Sequence, residues 1–216
     1  MKKMSEEEKT IEDLTGKLAE EFKRYRDIME EEGLHPRRVI YYLRDVVVRS
    51  LTITHNFDLL NSVLYIGFIA NLFDRYFDRK ISVLTVEEID KLLKEEEEHL
   101  SDVTRDVFSM LKRELQSLSF RDHFDADYVL RLNTLKESLT SFDELKGVFT
   151  NDVERILLRS INRAVEKILE ELKEKVSELI NSSLEVLEKE KTIKALENVI
   201  YEYIKKLHKE IYGWPR

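Results

Sequence analysis

Three arginines give the chain its most basic local segment. Arg37, Arg38 and Arg44 lie in the stretch 34–50, where arginines outnumber acids. Arg37 and Arg38 belong to the first turn of a helix that we predict to begin at Pro36, and the N–H groups of a first turn attract anions. We therefore predict that an anionic or phosphate-bearing ligand binds at these three arginines. The alternative is an ordinary exposed face, because surface charge pairs are common and weak.

A second candidate pair follows in the same region. Arg49 and His55 are separated by Ser-Leu-Thr-Ile-Thr, a spacing that resembles the Arg-x4–6-His signature of the HEPN ribonucleases, which are helical bundles. The resemblance covers these residues only, and it implies that Arg49 and His55 cleave RNA without a metal ion, usually across a dimer. The family usually has Asn, Asp or His after the arginine, where this chain has Ser50. The alternative is a helix-end arginine followed by a capping histidine, since short motifs match many unrelated chains.

Two groups of carboxylates have spacings that occur in metal sites. Glu96 and His99 would share a helix face, as the Glu-x-x-His pairs of di-iron bundles do, but those sites need a second such pair, which this chain lacks. Asp74 and Asp78 lie one turn apart and could hold Mg²⁺. They alternate with arginines, however, a pattern more typical of surface ion pairs. We therefore predict a solvated acidic face at Glu96, ion pairs at the aspartates, and neither a metal nor a cofactor.

The composition narrows the classes of function. The chain has no cysteine, which excludes disulfides, thiolate metal sites and cysteine nucleophiles. The formal net charge of −8 argues against DNA binding, which relies on cationic surface, and RNA is expected only under the ribonuclease alternative. The many Glu and Lys residues resemble the usage of heat-adapted proteins. The N-terminal residues lack the apolar core of a signal peptide, so we expect a cytoplasmic protein.

The elements that must position these residues are helices. Only 2 Pro and 5 Gly interrupt 216 residues, and the charged fraction of 37% rests mostly on Glu, Lys and Arg, which are good helix formers. The pattern predicts an all-α, multi-helix bundle around a buried central helix at about residues 57–77, the most apolar stretch. We expect other helices to cover this one on all sides. Its charge-free part is shorter than the roughly 20 residues of a membrane span, so we expect no membrane association.

Breakers and capping patterns divide the N-terminal part into helices. The first helix should end at Gly33, with Gly16 at a helix crossing, and the second should break at 54–56. A connector is expected at 80–84, followed by a capping box that begins at Thr85 and opens a new helix. A further cap or kink is expected at 101–102.

The C-terminal part carries the longest helical pattern. It predicts a long helical hairpin that bends at 181–183 or, as the next choice, at 188–192, and ends at Gly213. The polar segment 119–125 separates an N-terminal bundle, residues 1–118, from these long helices, residues 126–216. We expect the two parts to pack as one domain.

No motif in the chain is specific for a reaction. Long amphipathic helices without catalytic signatures indicate a non-enzymatic assembly or adaptor protein. Such a protein would act through helix–helix contacts of the coiled-coil kind, with a protein partner or with copies of itself. The ribonuclease at Arg49 and His55 and the anion site at Arg37, Arg38 and Arg44 are the alternatives.

Overall fold

The computed structural model describes residues 6–96, 100–117 and 151–213 of the chain. These residues form six α-helices and one 3₁₀ helix, and they contain no β-strand. In chain order the helices are α1 (Glu6–Glu31), α2 (Pro36–Thr54), the 3₁₀ helix η1 (Phe57–Leu59), α3 (Leu60–Glu95), α4 (Asp102–Ser117), α5 (Asn151–Lys189) and α6 (Ile193–Tyr212). The predicted all-α, multi-helix fold is confirmed.

The chain forms two compact units. Unit 1 consists of residues 1–73 and 169–216, and unit 2 consists of residues 74–168. The chain leaves unit 1 within α3 and returns to it within α5. Each unit therefore takes part of its core from these two long helices.

The start of α2 is built as the sequence predicts. After α1, Gly33 has a φ of 71°, a left-handed conformation that costs glycine little. Pro36 lies in the first turn of α2, where its missing N–H removes no helical hydrogen bond. The imidazole Nδ1 of His35 accepts the backbone N–H of Arg37 at 3.2 Å and so caps the helix.

The end of α2 also agrees with the sequence. His55 takes the left-handed conformation, with a φ of 52°, and ends the helix. The side-chain oxygen of Asn56 then accepts the backbone N–H of Asp58 at 3.0 Å, which caps η1. The predicted break at 54–56 is confirmed, with a short 3₁₀ helix before α3.

The connector predicted at 80–84 is wrong, because α3 continues without interruption to Glu95. The stretch contains no Gly or Pro, and Ile81 within it is fully buried, so packing supports helix throughout. Thr85 and Glu88 are buried positions in the helix interior rather than a capping box. The sequence pattern of a cap was present, but no helix starts there.

The apolar segment at 57–77 is buried on one side only, so the prediction that helices cover it on all sides is wrong. Ile66, Ile69 and Phe73 are buried in the core. On the opposite side of the same segment, Leu64 and Phe68 are 61% and 45% exposed. The segment is the predicted apolar helix, but its residues 57–73 lie at the surface of unit 1.

The start of α4 is capped as predicted. Ser101 precedes the helix, and its Oγ accepts the backbone N–H of Thr104 at 3.2 Å. The predicted linker at 119–125 lies outside the described residues. The division into residues 1–118 and 126–216 therefore stays a prediction.

The long C-terminal hairpin is confirmed, but it turns at the second of the two expected places. α5 runs continuously through 181–183. Within this stretch, Ser183 Oγ donates a hydrogen bond to the Leu179 carbonyl at 2.8 Å, so the buried hydroxyl has a partner inside the helix. The chain turns at 190–192, and Thr192 caps α6 by accepting the N–H of Ala195 at 3.2 Å.

Within unit 1, a hydrogen bond and ion pairs join α5 to α6. The hydroxyl of Tyr203 donates a hydrogen bond to the Lys175 carbonyl at 2.7 Å. The ammonium of Lys175 also contacts Glu210 at 2.6 Å, and Lys206 forms an ion pair with Glu178. These contacts join the second half of α6 to residues 175–178 of α5.

Gly16 is not at a helix crossing, which corrects that prediction. It is exposed, and a Cβ added to it would meet no atom within 4 Å. We expect Gly16→Ala to raise the free energy of unfolding by about 1 kcal/mol, because alanine gains helix propensity at an open site. Urea unfolding followed by circular dichroism measures the change.

Gly33→Ala is the matched control for this substitution. Its surroundings are equally open, but its φ of 71° strains any residue with a Cβ. We expect Gly33→Ala to lower stability. A urea unfolding midpoint for Gly16→Ala that is equal to or lower than that of the wild type would contradict the open environment described for Gly16.

Candidate functional site

The three arginines predicted to bind an anion do not share one face of α2. Arg37 and Arg44 both approach the Tyr41 ring, with their guanidinium carbons 5.6 and 5.3 Å from the ring centroid. Arg44 also contacts Asp45 at 3.4 Å. Arg38 is exposed one position further around the helix. The anion site stays a prediction, and the geometry pairs only two of its three members.

Arg49 and His55 are both exposed at the C-terminal end of α2, in unit 1. Arg49 lies within the helix, and His55 ends it in the left-handed conformation. In the described residues, no buried group positions either side chain. The ribonuclease alternative stays a prediction, to be tested by loss of RNA cleavage in His55→Ala.

Glu96, Asp74 and Asp78 are the carboxylates that the sequence suggested as possible metal ligands, and the structure places Glu96 next to arginines. Glu96 accepts two hydrogen bonds from Arg155, at 3.0 and 2.6 Å, and contacts Arg159 at 3.3 Å. Asp74 and Asp78 are half-buried on α3. Among residues 6–96, 100–117 and 151–213, no group of three His, Asp or Glu side chains is placed to hold a metal ion. His99 lies outside these residues.

Unit 2 contains a buried carboxylate that the sequence analysis missed. Glu88 on α3 is only 3% exposed, and it pairs with Lys91 at 2.8 Å and with Lys167 of α5. Arg163 of α5 lies 3.9 Å from its other oxygen. Burial by itself raises the pKa of Glu88, but the hydrogen bonds from Lys167 and Lys91 outweigh this effect and lower the pKa below its ordinary value.

The Glu88 contacts belong to a ladder of ion pairs between α3 and α5. Arg155, Arg159, Arg163 and Lys167 follow one another at four-residue spacing, so they line one face of α5. Arg163 reaches Glu95 at 3.4 Å, next to the Arg155–Glu96 pair. The spacing of these cations was visible in the sequence, but their partners were not. We assign this ladder to holding the two helices together in unit 2.

The surface of unit 1 carries an apolar stripe formed by Phe57, Leu60, Leu64 and Phe68. The four side chains are exposed by 75%, 47%, 61% and 45%, respectively. Their spacing of three and four residues places them on one face of the helical segment. We refer to these four residues as the apolar stripe.

The apolar stripe has a helix on either side. A Cβ at Gly67 would lie 3.8 Å from Arg44 Cδ, which marks the approach of α2. On the other side, the rings of Tyr65 and Tyr201 of α6 are 5.5 Å apart, and Asn61 donates a hydrogen bond to Glu197 at 3.1 Å. Tyr201 is 46% exposed and extends the apolar surface onto α6.

One described helical stretch has the length and composition of a membrane span. It is Phe57–Glu95, with a mean hydropathy of 1.2 in its most apolar 18-residue window, of which 39% is buried inside the protein. Such a window also occurs in helices that pack in the core of a soluble domain. The expectation of no membrane association stays a prediction.

No family model, no curated protein and no solved structure matches this chain. The function is therefore argued from the surface and the contacts of the chain itself.

We expect Glu88→Gln to lower the free energy of unfolding by about 1.5–3 kcal/mol, the usual contribution of hydrogen bonds to a charged group. The substitution preserves shape but leaves Lys167 and Lys91 without their anion. Glu87→Gln is the control, because Glu87 is the exposed neighbour on the same helix. It should change stability by less than about 0.5 kcal/mol. Equal urea midpoints for the two variants would contradict the role of Glu88.

The same pairing predicts a pH dependence. The pKa of Glu88 is lower in the folded chain than its ordinary value of 4.5. The pairing therefore stabilises the fold fully above that ordinary value, and the contribution is lost as the pH falls through the folded pKa. The stability difference between the wild type and Glu88→Gln should shrink as urea unfolding is repeated below about pH 4.5. A difference that stays constant from pH 7 to pH 3 would contradict this prediction.

Proposed function

We propose that this chain is a helical assembly or adaptor protein that binds another helical surface through the apolar stripe. The observation that supports the proposal is the one-sided burial of the segment 57–73. Its inner side packs in unit 1, while Phe57, Leu60, Leu64 and Phe68 face outward. An exposed row of large apolar side chains costs free energy in water unless something covers it.

The size of the surface supports a binding role. The four stripe residues and Tyr201 are exposed by 45% to 75%. At about 200 Å² for a fully exposed large apolar residue, they present on the order of 500 Å² of surface. A typical monomer has a largest apolar patch of about 300–600 Å², and patches of this size are often functional. A helix laid against the stripe at i, i+3 and i+7 spacing would fit this shape.

The surroundings of the stripe favour a protein partner over lipid. Asn61 and Glu197, which are hydrogen-bonded to each other, lie beside Leu64 and Leu60. Lys194 pairs with Glu197 at 2.8 Å. An apolar centre with a rim of amides and paired charges is the usual anatomy of a protein interface. Carrying the Lys194–Glu197 pair into hydrocarbon would instead cost the hydration of both charges.

The proposal predicts protein adducts at position 64. Leu64 is replaced with a photoreactive benzophenone amino acid in the full chain, which is then irradiated in its native cells. We expect cross-linked protein species of defined mass, identified by mass spectrometry. The same replacement at Leu158, a 45% exposed residue of α5, is the control and should give few such species. Adducts to lipid alone, or equal labelling at the two positions, would contradict the proposal.

A further inference from the structure

The edge of the apolar stripe that faces α2 is lined by arginine. The Cδ of Arg44 lies 3.8 Å from the place that a Cβ on Gly67 would occupy. Gly67 directly precedes Phe68 in the chain, so Arg44 borders the stripe beside this residue. The same side of α2 carries Arg37, Tyr41 and Val48, because these positions follow Arg44 at spacings of three, four and seven residues. This row therefore brings two positive charges and no acid to one edge of the stripe.

Two contacts hold the arginines of this row in place. The guanidinium carbons of Arg37 and Arg44 lie 5.6 and 5.3 Å from the centroid of the Tyr41 ring, within the range of a cation–π interaction. Arg37 also donates a hydrogen bond to the Tyr41 hydroxyl at 3.5 Å. The two cations are thus kept close to each other around one ring.

The acid next to this row, Asp45, does not cancel its charge. Asp45 lies 3.4 Å from Arg44, but its position is about 100° further around α2 than that of Arg44. The two side chains are 39% and 47% exposed, and an ion pair in water is weak. A guanidinium carries five N–H donors, so Arg44 can bind a second carboxylate as well.

The other edge of the stripe has matched charges. On α6, Lys194 pairs with Glu197 at 2.8 Å, and Lys205 pairs with Glu202 at 2.6 Å. Each pair joins one cation to one acid, so these four residues contribute no net charge. Within the segment 57–73 itself, Asp58 is the single charged residue, and it is acidic. The stripe is therefore bordered by excess positive charge on the α2 side only.

We infer that the helix bound by the apolar stripe is amphipathic and carries acidic residues along one flank of its apolar face, and that this flank lies against Arg44 and Arg37. The inference rests on the proposed function, because it names the chemistry of the partner of the same surface. Arg37 and Arg44 are seven residues apart, about 10 Å along α2. Acids seven residues apart on the partner helix would have the same separation and would repeat with its apolar seam.

Charges beside an apolar seam decide which partner binds and in which orientation. A helix with one acidic flank gains ion pairs only when that flank faces α2, so the asymmetry of the two edges fixes its rotation on the stripe. A second copy of the chain docked by its own stripe does not meet this requirement. It would present Arg44 on one edge and the paired charges of α6 on the other, and neither edge is acidic.

The first experiment compares two synthetic peptides, each long enough to cover the stripe. Both have leucines at alternating three- and four-residue spacing, and at seven-residue spacing on one flank the first carries Glu and the second carries Lys. Fluorescence anisotropy of the labelled peptides with the full chain measures the two dissociation constants at low ionic strength, where surface charges are least screened. We expect the Glu peptide to bind at least about 10-fold more tightly than the Lys peptide.

The second experiment reverses one charge on the protein. Arg44→Glu should make the Lys peptide the tighter ligand, because the acid and the cation then exchange sides. Arg38→Glu is the matched control, since Arg38 is an exposed arginine of the same helix that lies outside the row. It makes the same change in net charge and should leave the preference for the Glu peptide in place. Circular dichroism checks that both variants remain folded.

The outcomes separate this inference from the proposed function. Equal affinities of the wild type for the two peptides, binding of neither peptide, or equal effects of Arg44→Glu and Arg38→Glu would each overturn the inference. A dimer in sedimentation equilibrium that dissociates in Leu64→Glu would also overturn it, because a second copy would then occupy the stripe. In all these cases, protein adducts of position 64 would leave the proposed function standing, and adducts with lipid alone would end both.

Discussion

The one-sided burial of the segment 57–73 is the constraint on which the candidate function depends. The inner face of this segment supplies Ile66, Ile69 and Phe73 to the core of unit 1. Its outer face is almost as apolar, yet no described helix covers it. Such a helix is stable because half of its apolar surface leaves water on folding. The other half stays in contact with water, and in the proposed function it is this half that binds a partner.

The charged contacts have a different role from the apolar stripe. In unit 2, Glu88, Glu95 and Glu96 of α3 meet a row of cations along α5. The pairs near Glu96 are partly exposed and contribute little individually. Glu88 is different because it is buried, and a buried carboxylate is stable only when cations and hydrogen bonds replace its hydration. The ladder therefore selects which faces of α3 and α5 meet. Glu95 and Glu96, which the sequence analysis assigned to a solvated acidic face, are the partners of the α5 cations.

The residues chosen from the sequence for their chemistry lie at two places on α2, and the anion site and the ribonuclease pair both stay predictions. Arg37 and Arg44 both approach Tyr41, whereas Arg38 faces another direction, because successive residues of a helix point about 100° apart. Arg49 and His55 lie exposed at the end of α2. The surface that does stand out, the apolar stripe, was part of the segment that the sequence assigned to the core. Hydropathy measures how apolar a helix is, but it does not show which faces of that helix are covered by other helices.

Local chemistry was sufficient to predict most helix ends. Gly33, Pro36 and Thr54-His55-Asn56 act through their own backbone preferences and caps, so α1 ends, and α2 begins and ends, close to where the sequence indicates. The helical class itself follows from the scarcity of breakers and the abundance of good helix formers. Tertiary packing decided the continuity of α3 past Thr85, the turn at 190–192 rather than 181–183, and the exposed side of the segment 57–73. These features depend on contacts between residues distant in the chain, and the burial they produce outweighs a local capping pattern worth about 1 kcal/mol.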